Sequence, residues 1–152
     1  MRKQCRRKIY KLVDPISFAM NGARTMNPNE LTNLRLRELA SLESIIKGTG
    51  TKQDWCELMG CLNLTEVMAM NGIGPEAMDS CLVAQDALEE AAHRYKATGK
   101  MGLSGTGIKA LRDVIEYAAL QQTSISRSQF EKMLDKTLYM IRGRGNQVKV
   151  IS

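Results

Sequence analysis

The chain has a single histidine, so most catalytic readings would have to pass through it. His93 follows Glu90 at the E-x-x-H spacing with which di-iron helical bundles bind metal. Such a site needs that pair on two helices and two further glutamates, so one copy would need a symmetric second chain. The expected role of His93, beside Arg94 and Tyr95, is a polar-face residue. Four cysteines stand at 5, 56, 61 and 81 with no C-x-x-C pair among them. Zinc sites want four ligands at tight spacings, so reduced, buried, apolar thiols are expected instead. Cys5 differs, because its cationic neighbours favour the thiolate. Gly102-Leu-Ser-Gly-Thr-Gly-Ile-Lys109 superficially looks like a phosphate loop. A Walker A loop places Lys directly after Gly, follows it with Ser or Thr and is preceded by a strand. Here Ile108 intervenes, Ala110 replaces the hydroxyl and a helix comes before, so a plain helix connection is expected. There is no G-x-S-x-G, and the adjacent Glu89 and Glu90 point different ways on a helix. The expectation is a protein that is not an enzyme, with no catalytic residue, cofactor or metal ligand.

Charge is the more informative chemistry. The 152 residues carry a formal charge of +6, and it is unevenly placed. Residues 1–13 hold Arg2, Lys3, Arg6, Arg7, Lys8 and Lys11 and no acid. Residues 14–126 hold 10 bases and 14 acids, and residues 127–152 hold six bases against Glu131 and Asp135. A mildly acidic body with two basic ends suits phosphates or an acidic protein surface. The candidate contact residues are the six bases of the N-terminal arm together with Arg127, Ser128, Gln129, Lys132, Lys136, Arg142 and Arg144.

The segment Ile125-Ser-Arg-Ser-Gln-Phe-Glu-Lys-Met-Leu134 resembles the recognition-helix end of Fis-type helix-turn-helix proteins. That resemblance implies a helix whose early residues, Ser126, Arg127, Ser128 and Gln129, face a DNA major groove. Lys132 would assist them, and the N-terminal arm would clamp phosphates. The family carries a Gly or its equivalent at the turn, where this chain has Gln121-Gln-Thr-Ser124. Over its whole length the chain also resembles small bacteriophage and prophage proteins, some of them labelled Fis-like regulators. The residues that carry this are Tyr10-Lys-Leu-Val-Asp-Pro15, Leu34-Arg-Leu-Arg-Glu-Leu39, Gly72-Ile-Gly-Pro-Glu-Ala77 and Ser124-Ile-Ser-Arg-Ser128. It implies a phage setting, in which small helical proteins regulate genes or disable host machines in the bacterial cytoplasm.

The elements that must position these residues read as helices. Apolar residues make up 43% of the chain, enough for one core, and the residue count suits one domain. Few β-branched residues disfavour a sandwich, no apolar run approaches the ~18 residues of a membrane span, and no signal peptide is expected. Asp14-Pro15 signals a short helical stretch over 16–21. Asn27-Pro28 signals a helix reaching Lys47, with Leu31, Leu34, Leu39, Leu42, Ile45 and Ile46 on its stripe. Thr51 and Asp54 cap the next, which carries Trp55, Leu58, Met59, Leu62, Val67 and Met70 and stops at Asn71-Gly72. A third runs from Gly74-Pro75 to Thr98-Gly99, with Met78, Cys81, Leu82, Leu88, Ala92 and Tyr95 inward. Residues 108–142 contain no Gly or Pro and stay in helical phase. They read as one long helix, or as two broken near Thr123–Ser126; a bend of ~90–120° there revives the helix-turn-helix reading, and a straight rod favours the interaction protein. The ten Met read as gap-filling core, with a deformable partner groove as the sharper idea.

The expected architecture is all-α: a single-domain antiparallel bundle of about four main helices, the last one long. It comprises a basic arm at 1–13, a bundle at 14–142 and a tail at 143–152. The expected function is binding and modulating or inhibiting a host or phage machine, with DNA regulation through 118–134 as the alternative. The partner would be a host or phage protein, DNA being possible, with no membrane and a possible homodimer.

Overall fold

The computed structural model describes residues 23–143. The arm at 1–13, the stretch at 16–21, Arg144 and the tail at 144–152 lie outside the described residues. Five α-helices fill the described part: α1 (Pro28–Ile46), α2 (Lys52–Met70), α3 (Met78–Thr98), α4 (Gly105–Ser124) and α5 (Arg127–Gly143). A 3-10 turn, Pro75–Ala77, leads into α3. None of these helices is long and apolar enough to cross a membrane.

The helix boundaries follow from local chemistry. Asn27 caps α1 by accepting from the Asn29 N–H, and Pro28 occupies the first helical position. Thr51 and Asp54 form a reciprocal capping box at the start of α2. Gly74 stands at φ 60°, a left-handed conformation that only glycine adopts without strain. Ser104 caps α4 by accepting from the Gly107 N–H at 3.1 Å. The helix therefore begins three residues earlier than Ile108.

Helix α2 is packed on by neighbours on most sides, burying ten residues between Trp55 and Ala69, and keeps one more polar face open. It contributes Trp55, Leu58, Met59 and Leu62 to a main core shared with α1, α3 and α4. Small residues let α3 and α4 approach closely: Ala84, Ala87, Ala91, Ala110 and Ala118 are all buried. A Cβ on Gly107 would stand 2.6 Å from the Ala87 Cβ, so the glycine is there for packing. The Trp55 indole N–H donates to the Leu88 carbonyl at 2.9 Å. The buried Gln121 amide donates to the carbonyls of Thr65 (3.2 Å) and Ile73 (2.8 Å), tying α4 to α2 and to the turn after it. On the outside, Arg35 of α1 pairs with Glu116 of α4.

One long final helix is not what forms. Ile125 is extended (φ −120°, ψ 161°) and ends α4, and α5 begins at Arg127. Four main helices therefore become five. The physical reason is a second capping box. The Gln129 N–H donates to the Ser126 hydroxyl at 3.2 Å, and the Ser126 N–H donates to the Gln129 side-chain oxygen at 3.1 Å. Ile125 and Phe130, flanking the cap, share one buried cluster as a hydrophobic staple does. Thr25 bridges antiparallel to Ser126, with the Arg127 N–H donating to the Arg24 carbonyl at 2.8 Å.

After the break, α5 packs on α2. Phe130, Met133 and Ile125 meet Leu64, Val67 and Met68, with Met26, Ile73 and Met140 at the margin. Met59, Met68 and Met133 are buried as core fillers, whereas Met70 and Leu82 face outward, against the expected stripes. Leu82 lies beyond the apolar arc because Ala84, Ala87 and Ala91 bring the backbone of α3 close on the other side.

Candidate docking groove

Three helices leave an open groove on one side of the molecule. Its floor is α2, where Gln53, Cys56, Glu57, Gly60, Cys61 and Leu64 recur at three- and four-residue spacing and so share a face. One wall is α1, through Leu34 and Glu38. The other is α5, through Phe130, Leu134, Thr137, Leu138 and Ile141. The space measures about 450 Å³.

The groove exists because α5 is apolar over a wider arc than α2 covers. Phe130, Met133 and Thr137 turn inward and are buried. Leu134, Leu138 and Ile141, one position round the helix, remain 36, 50 and 47% exposed and line the wall. Gly60 contributes no side chain, and a Cβ there would meet nothing within 4 Å. A cleft of this size, with apolar walls and few polar groups, suits capture of another molecule's apolar face.

The polar groups of the groove are unusual in kind. Glu38 is only 5% exposed although it is a carboxyl. Its neighbours are the buried Cys61 thiol and the Glu57 carboxylate from α2, and Arg37 from its own helix. Arg37 is paired to Glu57. Burial pushes the Glu38 carboxyl up to about 7, the Cys61 hydrogen bond opposes the rise, and Glu57 adds to it. Burial, with Glu38 beside it, raises the Cys61 thiol as well. Cys81 is pushed up to about 12 by burial and by Glu66. Cys61 and Cys81 thus match the expected buried thiols; Cys56 does not, being exposed at the groove. Its position on α2, one residue round from Trp55, turns it from the core into the open cleft.

The residues singled out from the sequence lie mostly elsewhere. Arg127, Ser128, Gln129, Lys132 and Arg142 are exposed on α5. The Arg127 guanidinium lies 3.5 Å from the Glu131 carboxylate one turn on. Gln129 is engaged in capping Ser126, so its side chain is held against its own backbone. The Lys136 ammonium donates to the Asn71 side-chain oxygen at 2.6 Å and ties α5 to the end of α2. Arg2, Lys3, Arg6, Arg7, Lys8, Lys11 and Arg144 lie outside the described residues. Glu90 and His93 are both exposed on α3. Among the described residues no three His, Cys, Asp or Glu side chains gather as a metal site.

Little in the sequence marks the groove. Ile141 reads as a member of a helical stripe, and Leu134 and Glu38 stand out only as parts of the segments that carry the resemblances. One signal was readable: Ser126-Arg-Ser-Gln129 has the S-x-x-Q form of a capping box, flanked by Ile125 and Phe130. It locates the helix break, and the break sends α5 back across α2. No protein family, curated protein or solved structure matches the chain.

Proposed function

We propose that the chain is a non-enzymatic interaction protein that takes up one helix of a partner protein in the α1–α2–α5 groove. The observation that carries this reading is the set Leu134, Leu138 and Ile141, left exposed along a concave surface rather than scattered on a convex one. An amphipathic helix lays its apolar face into such a groove through anchors at i, i+3 or i+4, and i+7. The partner is a host or phage protein, as the resemblance to phage proteins implies, and occupation of its helix would modulate or inhibit it. The exposed Cys56 is a natural handle for a test. Benzophenone attached there should crosslink to a helical segment of the captured partner, and Gly60→Trp, which fills the groove, should abolish that product. Crosslinks that persist in Gly60→Trp would place the partner elsewhere and overturn the reading.

A second reading draws on the break at Ile125–Ser126. It separates α4 from α5 as a helix-turn-helix requires, and Arg127, Ser128 and Lys132 are exposed on the first turns of α5. On this reading α5 contacts DNA and the basic arm grips phosphates. Gel shifts across salt concentrations test it: binding must weaken steeply with salt, and Arg127→Ala must relax site preference. Absence of duplex binding at low salt would eliminate it.

A further inference from the structure

The groove contains one group that a purely apolar ligand would not need. Glu38 is at least nine-tenths buried, and it lines the cleft among leucines. Among the described residues, those lining the groove include two carboxyl groups, Glu38 and Glu57, and no lysine or arginine. Glu57 is paired to Arg37, and among the described residues Glu38 forms no ion pair of its own, with Arg37 its one cationic neighbour. A buried carboxyl must stay protonated or find a cation; left charged and alone, it costs stability. Among the described residues, the titratable or charged groups around it are Arg37 on α1, and Glu57 and Cys61 on α2. The wall from α5 presents only Phe130, Leu134, Thr137, Leu138 and Ile141.

Resting on the groove reading above, we propose that Glu38 receives the ammonium or guanidinium of one basic residue set in the apolar face of the partner helix. Leu134, Leu138 and Ile141 then take the flanking apolar side chains, and the carboxyl fixes the helix in register. The arriving cation favours the carboxylate, so the Glu38 proton leaves for bulk solvent as the ion pair forms. A hydrogen bond between charged partners in a desolvated cleft corresponds to about 10- to 100-fold in affinity. The same carboxyl disfavours an acidic residue at that place, which gives the site its selectivity.

The probe is a set of three fluorescein-labelled amphipathic peptides with identical leucine faces. They differ at one central position on that face, which holds Lys, norleucine or Glu. The full chain should bind the Lys peptide about tenfold more tightly than the norleucine peptide, and the Glu peptide least of all. Glu38→Gln should bring the Lys and norleucine peptides level, and a thermal melt of the variant reports that it remains folded. Calorimetry at pH 6 in buffers of different ionisation enthalpy should detect proton release with the Lys peptide and none with Glu38→Gln. Equal binding of Lys and norleucine by the wild-type chain, both lost in Gly60→Trp, would overturn the role of Glu38 and leave the groove standing. A Lys preference that survives Glu38→Gln would overturn it too. Binding of all three peptides that Gly60→Trp leaves unchanged would overturn both.

Discussion

The molecule holds itself together in two different ways on the two sides of α2. Toward α1, α3 and α4, Trp55, Met59 and several Leu and Ile are set among Ala84, Ala87, Ala91 and Gly107, with Leu58, Leu62, Leu88 and Leu111 almost wholly buried. Toward α5 they are Phe130, Met133 and Ile125 against Leu64, Val67 and Met68, in a thinner seam. Small residues bring helix backbones close and leave no gap, whereas large flexible ones hold them apart. The first side is therefore a closed core, and the second is a narrow seam of side chains beside an open cleft. Closeness of packing separates the part that supports from the part that receives.

Breaking the closed side should cost most. Leu88→Ala or Leu62→Ala should lower unfolding free energy by about 2–5 kcal/mol in a single cooperative transition, measured by urea denaturation. Phe130→Ala should cost about 3 kcal/mol, the low end for a buried Phe because it sits at the edge of its cluster, and its effect should be local. Hydrogen exchange would then rise across residues 127–143 while α3 and α4 stay protected. Equal loss of protection everywhere would show that the two sides are one unit.

Acidity sharpens the same contrast, because the raised carboxyl belongs to the open side. In the folded chain Glu38 titrates near 7, above its ordinary value of 4.5. The folded state thus holds that proton more tightly than the unfolded one. Stability from this group is fully present below the ordinary value and is lost as pH rises through about 7. Glu38→Gln should remove that slope and gain about 1–3 kcal/mol over wild type at pH 8. Thermal melts from pH 4 to pH 8 would measure it, and identical slopes would refute it.

The smallest effects come from one substitution made on each side. Gly107→Ala should destabilise by about 1–3 kcal/mol, since the new methyl would meet Ala87. Gly60→Ala should stabilise by about 1 kcal/mol, because helix propensity improves and the methyl points into open space. Opposite signs in a pair of melting curves would confirm that only one face is closed.

How much of this was legible in the residues differs by level. Capping chemistry fixed the ends of α1, α2 and α3 well, because Asn27-Pro28, Thr51 with Asp54, and Thr98-Gly99 act over a few residues. The break at Ile125 stood only as the alternative to one long helix, since a capping box and staple end a helix without the Gly or Pro that would mark it. Core membership was less legible: Leu82 is exposed and Ala84 and Ala91 are buried, because close packing rewards small side chains that hydropathy ranks low. The groove was not legible at all. It depends on which part of an apolar arc α2 leaves uncovered, a property of three helices at once.

The bridge between Thr25 and Ser126 has a wider consequence. It fastens the backbone just before α1 to the head of α5, while the described chain runs out at the foot of that same helix, Gly143. Thr25 and Gly143 therefore stand at opposite ends of one 17-residue rod, about 25 Å long. A helix lying along α5 in the cleft would run from one of these points toward the other.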